Sequence, residues 1–163
     1  MSWNIRTLGS HIPSDYNYQR MVGLMIGSKA DIICIQELQI GYDTERGIGN
    51  PISEASIGII VNFCRLLNEG DPGGAWMYSV SGINSGSRTS MRDAYAFLIR
   101  TTPSKSKNNN GDPVDNIVLI SPAEILQQQK EKDAFPGRRP GMITCAVVSG
   151  KATVPLNIIS YHA

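Results

Sequence analysis

One short run constrains the fold of this chain more than any other, because it is almost free of polar side chains. Residues 31–36 read Asp-Ile-Ile-Cys-Ile-Gln, a nearly continuous series of apolar and mostly β-branched residues. A strand with one solvent face alternates apolar and polar side chains, whereas a strand covered on both faces does not. We therefore expect residues 31–36 to form a central strand with protein packed on both sides.

Helical spacing of apolar residues predicts one helix before this run and one after it. The first spans Ser14 to Gly27, with Ser14 as the N-cap and Gly27 as the stop signal. The second runs from Glu54 to about Asn68, before a Gly/Pro-rich turn cluster. Its predicted apolar face consists of Ile57, Ile60, Val61, Cys64 and Leu67.

Several β-rich segments complete the pattern and indicate a mixed α/β chain, in which helices flank a sheet. The predicted strands are residues 3–7, 76–80, 94–100, 142–149 and 156–161. Residues 102–116 are rich in Ser, Lys, Asn and Gly, which predicts a flexible surface loop. The Gln-rich segment at 124–133 fits either a short exposed helix or a loop.

Length and composition exclude several classes of protein. With 163 residues, 41% of them hydrophobic and 18% charged, the chain suits one folded domain rather than a disordered or membrane-spanning one. Its 15 basic and 14 acidic residues give a net charge of +1, which excludes a strongly basic nucleic-acid binder but not a nucleic-acid substrate. No apolar signal segment follows Met1, so we expect a cytoplasmic protein, or a secreted one if an upstream segment is missing.

The three cysteines, Cys34, Cys64 and Cys145, are widely separated and lie among apolar residues. Their spacing matches neither a zinc site nor a disulfide framework. We expect all three to be small buried side chains.

Four polar residues lie within or next to predicted strands, where packing alone would not favour them. Asn4 lies inside the first strand, Glu37 directly follows the central strand, Asp93 precedes the strand at 94–100, and His162 follows the last strand. A carboxylate at the end of a central strand occupies the usual ligand-binding position of an open α/β sheet. Each residue also has a simpler interpretation: a backbone-bound amide, a solvated loop glutamate, a turn aspartate and an ordinary terminal histidine.

The stretches that carry these four residues resemble one known family when they are taken in chain order. They are Ser-Trp-Asn-Ile-Arg-Thr-Leu-Gly at 2–9, Ala-Asp-Ile-Ile-Cys-Ile-Gln-Glu-Leu at 30–38, Asp-Ala-Tyr-Ala-Phe-Leu-Ile-Arg at 93–100, and Tyr-His-Ala at 161–163. Together they resemble the endonuclease/exonuclease/phosphatase superfamily, and above all its pancreatic-type deoxyribonuclease branch. The resemblance implies the N-terminal part of a four-layer α/β sandwich, with mostly antiparallel mixed sheets and flanking helices. Residues 1–163 would then be a partial domain that lacks its C-terminal half.

The resemblance also implies roles for individual residues. Glu37 looks like the carboxylate that binds Mg²⁺, with Mn²⁺ or Ca²⁺ as alternatives, and a hard oxygen ligand suits these ions. Asn4 looks like the amide that orients the phosphate. His162 looks like the general acid at the leaving oxygen, and Asp93 like its carboxylate partner. Arg6, Arg88 and Arg138 resemble arginines that contact phosphate, for which a guanidinium is well shaped.

The implied activity is metal-dependent phosphodiester hydrolysis by a nuclease that acts on DNA or RNA. A phosphatase or an inositol- or lipid-phosphate phosphodiesterase of the same superfamily is an alternative, because Gln39 and Ile40 stand where deoxyribonucleases carry a minor-groove arginine. A non-catalytic truncated paralogue is a third, because the later Gly-Asp-x-Asn and Ser-Asp-His motifs are missing from these 163 residues. We accordingly expect little activity from this polypeptide alone. We also expect self-association through an uncovered sheet face.

Overall fold

The computed structural model describes residues 1–8, 14–39, 54–82, 93–101, 116–126, 139–149 and 152–162. Nine elements lie in these ranges and form a mixed α/β fold, which confirms the predicted class. In chain order they are β1 (Ser2–Leu8), α1 (Asp15–Gly27), β2 (Ile32–Gln39), α2 (Glu54–Gly70), β3 (Trp76–Val80), β4 (Asp93–Arg100), β5 (Asn116–Ile125), β6 (Gly141–Ser149) and β7 (Ala152–Ser160).

The first sheet has four strands in the order β1-β2-β4-β3. Strand β1 runs parallel to β2, whereas β4 runs antiparallel to both β2 and β3. The prediction of a central strand covered on both faces is confirmed, because Ile33, Cys34 and Ile35 of β2 are all buried. Their side chains alternate between two separate cores, so each face of the sheet is packed.

Both helices pack on one face of this sheet. Ser14 caps α1 through its hydroxyl, which accepts a hydrogen bond from the Asn17 amide at 3.4 Å, as predicted. The buried face of α2 is rotated from the predicted one. Val61 is 42% exposed, and the ring of Phe63 packs edge-on against Tyr18 of α1 instead. The buried apolar face of α2 consists of Ile59, Ile60, Phe63 and Leu67.

The second sheet is antiparallel, has the strand order β5-β6-β7, and packs against the other face of the first sheet. The core between the two sheets contains Tyr95 and Phe97 of β4 opposite Ile143 and Cys145 of β6. A hydrogen bond also links the two sheets: the Ser79 hydroxyl of β3 accepts it from the Ala123 amide of β5 at 2.8 Å. In the described residues the layers are therefore helices, first sheet and second sheet.

Three predicted features need correction or lie outside the structure. Strand β5 was not predicted, and since Glu124 lies within it, a helix beginning at this residue is wrong. Strand β7 begins at Ala152 rather than at residue 156, and Asn116, predicted as the end of the loop, is the first residue of β5. The rest of that loop, residues 102–115, lies outside the described residues.

The cysteine prediction is confirmed for two of three residues. Cys34 and Cys145 are buried, Cys64 is half-buried, and all three are free thiols. Neither helix in the described part of the chain is long and apolar enough to cross a membrane.

Candidate functional site

Asn4, Glu37 and His162 meet where three strands from two sheets come together. The Asn4 Nδ2 atom lies 3.2 Å from Glu37 Oε1 and 3.0 Å from His162 Nε2. The His162 Nε2 atom lies 3.0 Å from the same Glu37 oxygen, which closes a triangle of polar atoms. Since Asn4 and His162 are 158 positions apart, local sequence cannot bring them together. The docking of the second sheet on the first does so.

A bulge in β2 places Glu37 in this triangle. Four residues of β2, from Ile35 to Leu38, lie opposite three residues of β4, from Ala96 to Ala94, so β2 carries one extra residue there. Leu38 thereby returns to the helix-covered core that holds Ile35. Glu37 is the residue displaced by the bulge, and its backbone has a φ of 61°. Regular pairing would have directed its carboxylate towards the helices.

The two neighbours of His162 Nε2 favour opposite protonation states of that nitrogen. When Nε2 carries a proton, it can donate a hydrogen bond to the Glu37 carboxylate. When Nε2 lacks a proton, it can accept a hydrogen bond from the Asn4 amide. The hydrogen bond that Nε2 makes therefore depends on the tautomer of the ring.

The triangle is partly shielded from water while still open to it. The side chains of Glu37 and His162 are 16% and 14% exposed. Their interaction is therefore less screened than that of a surface pair, and a small substrate group can still reach them.

Glu37 is the one residue of the triangle whose oxygens suit a hard divalent cation. The Asn4 amide presents its nitrogen to Glu37 and His162. One carboxylate with few other protein ligands is the usual shell of Mg²⁺, which retains several waters. Among the described side chains there is no cluster of three or more His, Cys, Asp or Glu that could hold a metal ion.

The structure leaves the other four predicted residues untested. Arg6 lies in β1, and Asp93 begins β4 with Gln39 of β2 as its partner, but the side chains of Arg6 and Asp93 lie outside the described part of the structure. Arg88 and Arg138 lie outside the described residues altogether. The contact between Asp93 and His162 stays a prediction.

Sequence reasoning missed the part played by Gln36. This side chain is 8% exposed, and its Nε2 atom lies within hydrogen-bond distance of groups on β1 and at the end of β7. The available signal was an amide side chain at the end of an otherwise apolar buried run. Its partners, which are up to 125 positions away, had no local signal at all.

No known family model and no curated protein matches this sequence.

Proposed function

We propose that this chain forms part of a metal-dependent phosphodiester hydrolase, a nuclease that acts on DNA or RNA, with the four-layer sandwich of the endonuclease/exonuclease/phosphatase superfamily. The observation that carries the proposal is the triangle of Asn4, Glu37 and His162, which joins an amide, a carboxylate and an imidazole within 3.2 Å. The order of helices, first sheet and second sheet supports the proposed fold, because it matches three of the four layers.

Each residue of the triangle has a role that suits its chemistry. Glu37 would hold the Mg²⁺ ion, and Asn4 would orient the phosphate. When bound, Mg²⁺ supplies Lewis-acid stabilisation of charge on the phosphate oxygens. His162 Nε2 would deliver a proton to the leaving oxygen, with Asp93 as its carboxylate partner. Arg6, Arg88 and Arg138 neutralise the remaining phosphate charge.

Metal binding is the first test, because it does not depend on turnover. Mn²⁺ is titrated into the protein, and the loss of its free-ion electron paramagnetic resonance signal reports binding. We expect Glu37→Gln to weaken Mn²⁺ binding at least about tenfold, because it removes the only carboxylate of the proposed ligand set. Glu124→Gln, which neutralises an exposed carboxylate on β5, is the matched control and should bind Mn²⁺ as the wild type does. Equal binding by both variants would remove Glu37 from the metal site.

Hydrolysis is the second test, and it separates the candidate substrates. Single- and double-stranded DNA, RNA and inositol phosphates are offered in parallel with Mg²⁺. If the wild type cleaves nucleic acid, Glu37→Gln should lower turnover by at least about 100-fold, the scale expected for a misplaced metal ion. Cleavage of inositol phosphates alone would replace the nuclease by the phosphatase alternative. Metal binding without cleavage of any of these substrates would favour a non-catalytic paralogue.

A further inference from the structure

Gln36 lies next to the proposed site and touches all the strands that form it. Its Nε2 atom lies 2.9 Å from Ser160 Oγ, 3.2 Å from Ser2 Oγ and 3.3 Å from the carbonyl oxygen of Tyr161. Both Gln36 and Ser160 are buried. An amide nitrogen has two hydrogens to donate, the Tyr161 carbonyl can only accept, and the two serine hydroxyls can accept as well as donate, so the arrangement suits glutamine.

The partners of Gln36 lie beside the residues of the triangle in the chain. Ser2 precedes Asn4 by two residues on β1, Gln36 is joined directly to Glu37 on β2, and the Tyr161 carbonyl belongs to the peptide group that begins His162. The Gln36 amide therefore contacts β1 two residues before Asn4 and the end of β7 one residue before His162. Gln36 itself is the residue before Glu37, so one side chain is linked to the chain beside all three residues of the triangle.

The direction of the Gln36 side chain follows from the register of β2. Ile33 and Ile35 face the helices, and Cys34 faces the second sheet, so regular alternation directs Gln36 towards the second sheet as well. The register shift with β4 falls between Ile35 and Leu38, and the positive φ within it is at Glu37. Two consecutive residues of β2 therefore contact the end of the second sheet. Gln36 binds Ser160 and Tyr161, and Glu37 contacts His162.

We propose that Gln36 is a positioning residue: by binding the Tyr161 carbonyl and the hydroxyls of Ser160 and Ser2, it holds the His162 ring and Asn4 at Glu37. The catalytic consequence rests on the proposed function, but the positioning itself does not. A misplacement of about 1 Å at a reacting group can lower a rate about 100-fold, so such a residue affects turnover without touching the substrate.

The test compares two side chains that form hydrogen bonds between the sheets, Gln36 at the site and Ser79 remote from it. Gln36→Met keeps the length of the side chain and removes its donors. Ser79→Ala removes the hydroxyl that binds the Ala123 amide between β3 and β5, which is also a buried tie between the two sheets. The readout is the carbon–proton NMR spectrum of the histidine rings, since the chain has only two histidines, His11 and His162.

We expect Gln36→Met to shift or broaden the ring signals of His162 and to leave those of His11 in place. Ser79→Ala should leave both rings in place even if it lowers the melting temperature equally. Should Gln36→Met fail to fold, Ser160→Ala, which removes the nearest acceptor, should move the same His162 signals by a smaller amount. Unchanged His162 signals in a folded Gln36→Met protein, or in Ser160→Ala if only that variant folds, would overturn the proposal.

Turnover distinguishes this proposal from the proposed function. In a protein that hydrolyses phosphodiesters, Gln36→Met should lower kcat about 10- to 100-fold and change KM less than about threefold, because the substrate contacts are intact. If the His162 signals move but the wild type neither binds Mn²⁺ nor cleaves any substrate, the positioning stands and the proposed function fails. A loss of activity in Gln36→Met with unmoved His162 signals would overturn the positioning.

Discussion

At the scale of single residues, Glu37 combines a functional side chain with an unusual backbone. Its φ of 61° lies in the left-handed region, which a residue with a Cβ atom adopts at a cost. The conformation belongs to the bulge that turns the carboxylate towards Asn4 and His162. The backbone conformation of Glu37 therefore lowers the stability of the fold somewhat, and such strained residues are common at functional sites.

This strain predicts an inverted order of stability between glycine and alanine. In a regular strand a glycine makes the protein less stable than an alanine does, but at a positive φ glycine avoids the clash of the Cβ atom. We expect Glu37→Gly to be about 1 kcal/mol more stable than Glu37→Ala, measured as the free energy of unfolding in urea. The same pair of substitutions at Thr153, an exposed position in β7, should show the usual order. An ordinary order at Glu37 would mean that the bulge relaxes freely.

The buried thiol of Cys34 predicts a loss of stability in alkali. Burial raises the pKa of Cys34 from its ordinary 9.0 to about 11, and a hydrogen bond with Ser160 offsets part of that rise. Between pH 9 and pH 11 the Cys34 thiol ionises in the unfolded state but stays mostly neutral in the native state. The free energy of unfolding therefore falls as the pH rises through this range, whereas below pH 9 this group does not lower it. By pH 11 this single group should have lowered the free energy of unfolding by about 2 kcal/mol.

The measurement isolates the thiol from the lysines and tyrosines that titrate in the same range. Urea unfolding of the wild type and of Cys34→Ala is compared at pH 8 and pH 10.5, and only the difference between the two pH dependences is interpreted. The wild type should lose more stability than Cys34→Ala. Parallel losses would mean that the native thiol ionises as readily as the unfolded one.

At the scale of the elements, α2 carries a glycine that its packing does not require. A Cβ atom added at Gly58 would meet nothing within 4 Å, and Gly58 lies on the exposed side of the helix. Gly58→Ala should therefore raise the free energy of unfolding by about 0.5–1 kcal/mol, because alanine loses less backbone entropy in a helix. Chemical denaturation gives this value directly.

Gly141 provides the opposite case in the same experiment. A Cβ atom there would lie 2.6 Å from Cδ2 of the buried Tyr95 ring, where β6 crosses the first sheet. Gly141→Ala should therefore destabilise the protein. A gain of stability in Gly141→Ala, or a loss in Gly58→Ala, would contradict this account of the packing.

The elements that the sequence predicted well are those with one clear periodicity. Helix α1 has a capping serine and evenly spaced apolar residues, and β2 has an unbroken apolar run. Helix α2 was placed correctly, but its apolar residues fit two adjacent faces, and tertiary packing of Phe63 on Tyr18 selects the one observed. Strand β5 was missed because Ser121 and Pro122 interrupt its pattern, and β5 pairs with β6 through shifts of register around them.

At the scale of the whole molecule, the described part of the second sheet packs on the first sheet with one face and exposes several apolar side chains on the other. On the face turned away from the first sheet, Val118 and Ile120 of β5 and Ile159 of β7 are exposed. We expect the protein to self-associate through this face, because grouped apolar side chains on a surface favour association.

Sedimentation velocity tests this expectation against the monomer mass of 17.7 kDa. The wild type should sediment as a larger species at high concentration, and a variant with Thr at positions 118, 120 and 159 should remain a monomer for longer. Leu24→Thr, which removes an equally exposed apolar side chain from α1, should behave as the wild type does. A wild type that stays monomeric at all concentrations would reject this expectation.

The proposed site could be predicted only in part, for a reason that operates at this scale. Motifs indicated Asn4, Glu37 and His162 as separate residues, and the resemblance to a family suggested a common role. The bulge at Glu37 and the bonds of Gln36 depend on how two sheets pack, and no spacing within one strand encodes that. The partners of Gln36 belong to strands that are remote from it in sequence, so they became visible only in the folded chain.

The separation of Asn4 and His162 by 158 positions also has a consequence for biosynthesis. Asn4 and Glu37 leave the ribosome together with β1, α1 and β2, well before β7 emerges. Contacts between such distant segments form slowly, because a long loop must close first. A nascent chain therefore carries the amide and the carboxylate without the imidazole, and the complete triangle exists only once β7 has been translated and the two sheets have docked.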